Sequence, residues 1–149
     1  MRTKTKRTET NNQITGNIGV FYVCYRLSLE NWNVLPTIRN ASGADIFIVK
    51  ERRRLGLQVK TLSVKDNINI GANPFDYSID YWIILMNVKK EENPSPYIIS
   101  RPDMEMEIER CGRSNRGTGL LKCYDDIYWI QKKFLLSDVH GYSKDWSSL

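Results

Sequence analysis

Gln58 and Lys60 stand two residues apart in an otherwise largely apolar run, Leu55 to Leu62, and Asp45 opens the apolar run before it. Packing gives a strand no reason to carry a lysine at its centre. An aspartate, a side-chain carbonyl and a nearby backbone carbonyl make a partial oxygen shell of the kind magnesium takes while keeping several waters. A lysine beside them would position an attacking water or stabilise charge developing on a scissile phosphate. The chemistry these residue types suggest is metal-assisted phosphodiester hydrolysis. The plain alternative is a hairpin with a charged outer face, in which Asp45 caps a turn after Gly43 and Lys60 reaches solvent.

Whether the three residues meet depends on the elements that carry them. Ser42 to Ser63, SGADIFIVKERRRLGLQVKTLS, reads as two strands, about Ala44 to Val49 and Leu55 to Leu62, joined by a basic turn from Lys50 to Arg54. Side chains alternate faces along a strand, so Gln58 and Lys60 share one side while Leu57, Val59 and Thr61 share the other. Folding antiparallel about the turn sets Asp45 opposite Gln58 to Lys60, at the end of the hairpin away from the turn. The turn itself, with Lys50, Arg52, Arg53 and Arg54, is the densest positive patch. It reads equally as a solvated loop or as a sequence-independent phosphate contact.

The rest of the chain supplies a scaffold. Residues 1 to 13 are polar and charged and read as a disordered basic tail, leaving 14 to 149 as a single domain. Thr15 to Asn31 has helical spacing, with Thr15 as cap and Ile18, Phe21, Tyr22, Tyr25 and Leu29 recurring every three or four residues. NVLPTIR is strand-like, and Tyr81 to Val88 is a continuous apolar strand of the kind buried on both faces. YIISR is a short strand, PDMEMEIERCG a helix, DIYWIQKKF a late strand and YSKDWSSL a short closing helix. Trp82 and Trp129 read as core, and Trp32 and Trp146 as partly exposed. The order predicts an α/β fold with one mixed central sheet flanked by helices.

Composition narrows the function classes. The chain has 149 residues, a net charge of +5 and 41% hydrophobic residues, which fits a globular domain with a mild preference for anionic partners. Three cysteines without a Cys-x-x-Cys pair argue against a disulfide framework or structural zinc. The most apolar run, IGVFYVCY, is too short to span a bilayer, and no signal-peptide core follows the basic N-terminus. A cytoplasmic protein without a membrane segment is expected. GRSNRGTG lacks the Lys-Ser/Thr of a nucleotide-phosphate loop, and His140, the single histidine, has no evident catalytic partner.

The segment from about Gly16 to Ser63 resembles the PD-(D/E)xK nuclease superfamily, in particular small domains related to Holliday-junction resolvases and restriction endonucleases. The residues that carry the resemblance are TGNIGVFYVCYRLS, the Arg-Asn-x-x-Gly-x-Asp-Ile run from Arg39 to Ile46, and the Gln-x-Lys-Thr run from Gln58 to Thr61. The resemblance implies a restriction-endonuclease-like central sheet and a Mg2+- or Mn2+-dependent endonuclease acting on DNA. It implies Asp45, Gln58 and Lys60 as catalytic residues, with Asp45, Gln58 and the backbone carbonyl of Val59 as metal ligands. Arg39 joins Lys50, Arg52, Arg53 and Arg54 as an expected nucleic-acid contact, and a homodimer is a further expectation. Relatives often carry a glutamate on the first helix where this chain has Val20. That departure, with the uncharged Gln58, predicts weak metal binding and opens the alternative of a degenerate, inactive nuclease fold that binds nucleic acid or a protein partner.

Overall fold

The computed structural model describes residues 2–37, 43–72, 74, 76–113, 119–137 and 141–149, with the side chains of residues 2–10 and 113 outside that description. Arg39, the turn at 40–42, most of the basic loop after α2 (114–118) and His140 therefore lie outside the described residues. The elements run α1 (Arg2–Leu29), β1 (Asn33–Pro36), β2 (Ile46–Lys50), β3 (Arg53–Thr61), β4 (Ile68–Gly71), β5 (Tyr81–Leu85) and β6 (Tyr97–Ser100). They continue with α2 (Arg101–Arg113), β7 (Leu121–Tyr124), β8 (Ile127–Ile130), α3 (Lys132–Leu136) and a 3-10 turn at Trp146–Ser148.

The predicted hairpin forms, with β2 and β3 antiparallel in the register Ile46 to Leu57 and Lys50 to Arg53. The turn is shorter than Lys50 to Arg54. Only Glu51 and Arg52 lie between the paired residues, and Glu51 takes a left-handed φ of 55°. The central sheet has the order β1-β2-β3-β5-β6, antiparallel except for the parallel β3–β5 pair. The chain is thus mixed α/β with a mixed central sheet flanked by helices.

A second sheet departs from the one-sheet expectation. β4, β8 and β7 form an antiparallel three-stranded sheet in the order β4-β8-β7. Each is four residues long, too short for its alternation to stand out from loop sequence. The predicted late strand also stops at Ile130, and Lys132–Leu136 coils into α3.

Each face of the central sheet has its own core. Ile46, Ile48, Leu57, Val59, Ile83 and Leu85 pack toward Val23 and Leu27 of α1 and toward Trp146. Trp82, Ile84 and Ile99 pack on the other side against Ile68 and Ile130 of the second sheet and Met104 of α2. β5 serves both cores, which explains its unbroken apolar run.

α1 differs most from its expected form. It begins at Arg2 rather than Thr15, so the backbone is helical through the segment read as a tail. No proline or glycine lies between Arg2 and Thr15 to stop it. Thr15 is not a cap, because its hydroxyl donates to Asn11 O one turn back at 2.9 Å. Nor do Phe21, Tyr25 and Leu29 face the core: they are 66%, 60% and 59% exposed. The inward residues are Thr15, Gly19, Val23 and Leu27. Gly19 selects that face. A Cβ there would stand 1.7 Å from Thr61 Oγ1, so the helix lies against β3 only where it has no side chain. Asn31, at φ 63°, turns the chain out of the helix while Trp32 N bonds back to Leu27 O.

The tryptophan assignments are partly corrected. Trp82 is fully buried as expected, but Trp32 and Trp146 are buried too, and Trp129 is only partly buried, outside both cores. Among the described residues, no helix is long and apolar enough to cross a membrane.

Candidate functional site at the open end of the hairpin

β2 begins at Ile46, while β3 runs on to Thr61. Asp45 is the first residue past the last β2–β3 pair, and its N–H still donates to Leu57 O at 2.8 Å. Leu57 and Val59 therefore turn their backbone groups toward β2, but at Val59 the neighbouring strand has ended. The Asp45 carboxylate takes its place: Oδ2 accepts the Val59 N–H at 2.7 Å. Thr37 fixes Asp45 from the other side. Its N–H donates to Asp45 O at 2.8 Å, and its hydroxyl lies 3.0 Å from Ala44 O.

Gln58 and Lys60 lie on the sheet face of their β5 register partners, Trp82 and Ile84. The fully buried Trp82 indole needs an acceptor, and Gln58 Oε1 supplies it at 3.1 Å. Burial pushes the Lys60 ammonium below the ordinary lysine range, and the nearby Asp45 charge pulls it partly back. Asp45, opposite Gln58 and electrostatically coupled to Lys60, thus stands where the hairpin register sets it.

A cleft of ≈ 490 Å³ opens beside Asp45. Asn17, Val20 and Phe21 of α1 form one wall, Pro36 and Thr37 at the end of β1 another, with Asp45 and Val59 between them. Val20, the residue standing where an acid is expected from the resemblance, faces this same cleft.

The donors do not fit a resident divalent ion. Magnesium and manganese favour near-octahedral oxygen shells and draw affinity from ligand charge. Here one carboxylate is present, and one of its oxygens already caps Val59. The Gln58 carbonyl is uncharged and is held by an indole. Among the described residues, no group of three His, Cys, Asp or Glu side chains could hold a metal. The other acids nearby serve the backbone. Asp80 Oδ2 accepts from Gly56 N at 2.7 Å, and Asp76 accepts from the Ser78 hydroxyl and N–H, which hold its carboxyl below the usual range.

The basic turn lies at the other end of the hairpin, about 17 Å from Asp45 at the usual rise per residue. Two of its cations are engaged within the fold. Lys50 Nζ donates to Glu30 O at 2.8 Å and Arg53 Nη1 to Leu149 O at 2.9 Å, and both lie over the Trp32 ring. Arg52 and Arg54 are exposed.

Sequence reasoning missed Trp82 as the partner of Gln58 and Thr37 as the clamp on Asp45. A buried tryptophan needs an acceptor, which was a signal for the first; nothing in the sequence marked the second. Comparison of the chain with family models, with curated proteins and with solved structures finds no match.

Proposed function

We propose that this chain is a restriction-endonuclease-like domain that has lost metal-dependent cleavage and binds nucleic acid. One observation carries the loss of chemistry: Asp45 Oδ2 and Gln58 Oε1, two of the oxygens that would ligate a metal, already serve the fold. Asp45 completes the β3 ladder at Val59, and Gln58 satisfies Trp82. The order of elements supports the family reading. A helix precedes three antiparallel strands, β5 pairs parallel with β3, and the Asp45 charge acts on Lys60, which is compatible with the roles the resemblance implies for them.

Net charge of +5 and the exposed Arg52 and Arg54 support nucleic acid as the partner. Guanidinium groups bind phosphate oxygens and release condensed counterions, a term that carries affinity without reading sequence. Lys60, its ammonium destabilised by burial, gains from any phosphate that approaches it.

Two measurements test the reading. Wild type and Asp45→Asn are compared on linear, branched and single-stranded DNA at high manganese, and neither is expected to cleave. Cleavage by wild type that Asp45→Asn lacks would establish the active endonuclease instead. DNA affinity is followed against salt for wild type and for Arg52→Ala with Arg54→Ala. The slope of log K against log salt is expected to fall by about 0.9 for each phosphate that the variant no longer neutralises. Unchanged affinity and slope would remove the turn from the interface.

A further inference from the structure

α1 carries two apolar stripes, and the fold uses one. Thr15, Gly19, Val23 and Leu27 face β3 and the core. Ile14, Phe21, Tyr25 and Leu29, with the half-buried Ile18 between them, form a second stripe about 140° around the helix. Four of these large side chains are 47–66% exposed. Solvated helix faces ordinarily carry charge, and this one does not. From Asn11 to Leu29 the single charged residue is Arg26. Its guanidinium turns away, over the Trp146 ring at 5.7 Å.

We infer that this stripe is the contact surface for a second copy of the same chain, with the two α1 helices packed antiparallel about a two-fold axis. The inference does not depend on the nuclease reading. Three observations select this occupant. An uncharged face offers no cation to phosphate, so the backbone term that dominates nucleic-acid affinity is missing there. Two chains at +5 repel over most of their surface, and this face is where that repulsion is least. The stripe is also nearly its own mirror in sequence. Reversed about a point between Phe21 and Tyr22, it sets Ile14 against Leu29 of the other copy and Ile18 against Tyr25, the self-complementarity a two-fold interface demands.

The size of the stripe sets the expected strength. Four side chains with about 100 Å² each still in water give on the order of 400 Å² per copy. That is near half of the roughly 800 Å² per partner of a tight complex. A micromolar dimer is expected.

Sedimentation of the full chain from about 1 µM to about 500 µM tests it. Wild type is expected to pass from monomer to dimer across this range. Ile18→Glu and Tyr25→Lys, each placing a charge against an apolar partner, are each expected to weaken association at least about tenfold while keeping the wild-type circular dichroism. An equimolar mixture of the two is expected to recover dimer, because one of its two contacts becomes Glu against Lys and the other is native. A wild type that stays monomeric throughout overturns the inference, as do single variants that associate like wild type. A mixture no better than its parts overturns the antiparallel pairing. A monomeric wild type that co-sediments with phosphatidylcholine vesicles would assign the stripe to a lipid surface and overturn it too.

Discussion

At the turn end of the β2–β3 hairpin, Lys50 and Arg53 lie over the Trp32 ring and donate to the backbone carbonyls of Glu30 and Leu149. At the open end, Asp45 receives the Val59 N–H, and Gln58 receives the Trp82 indole. Each end pairs a buried tryptophan with polar side chains that look functional in sequence. The ends differ in what remains. The turn keeps Arg52 and Arg54 exposed to solvent. The open end keeps one carboxylate with a structural duty and a lysine disfavoured by burial. A residue's type says what chemistry it can do, and its existing partners say how much of that capacity is left.

Removing the platform at the turn end should have the larger effect. Trp32→Ala takes away a buried indole and the surface under two cations, and is expected to cost about 3–5 kcal/mol in urea unfolding. A loss below about 1 kcal/mol would mean the cations are held by their carbonyl acceptors alone. At the open end, Asp45→Ala strands the Val59 N–H beside a partly buried lysine, and about 2 kcal/mol is expected. Asp45→Asn keeps an acceptor oxygen and should recover most of it. Equal losses for the two would show that the negative charge, not the hydrogen bond, is what the fold uses.

The smallest effect is expected at Lys60, and it depends on pH. The unfolded chain protonates Lys60 up to its ordinary 10.5, the folded chain only up to a lower value. Between the two the folded state binds fewer protons, so stability rises with pH across that window, and the full penalty is present below it. Lys60→Met should therefore be more stable than wild type at neutral pH by about 1 kcal/mol. The two proteins should converge as pH passes 10.5. A constant difference at all pH values would assign the effect to packing rather than to charge.

The hairpin was legible because period-two alternation and a basic turn fix both pairing and register. The apolar run of β5 was legible because a strand between two cores needs no polar face. The inner face of α1 was not, because the contact is chosen by the absence of a side chain at Gly19, and hydrophobic counting gives most weight to the largest residues. The bond between Gln58 and Trp82 was hidden for another reason. Those residues are 24 positions apart, and they meet only through the parallel register of β3 and β5. Val20 was placed by resemblance, and it does line the Asp45 cleft.

The path from β3 to β5 has a consequence for how the chain folds. Parallel neighbours need a crossover, and here the crossover contains β4, a strand of the other sheet. β4 in turn pairs with β8, some 60 residues later. The β3–β5 connection thus carries β4, whose Ile68 and Ile70 pack in the core with Trp82 and Ile84 and whose strand partner β8 comes from the C-terminal part of the chain. Neither sheet is then a separately stable unit. Amide protons in β5 and β8 should share one opening free energy, and folding should be slow for the chain's length, because its decisive pairings close long loops before any local structure rewards them.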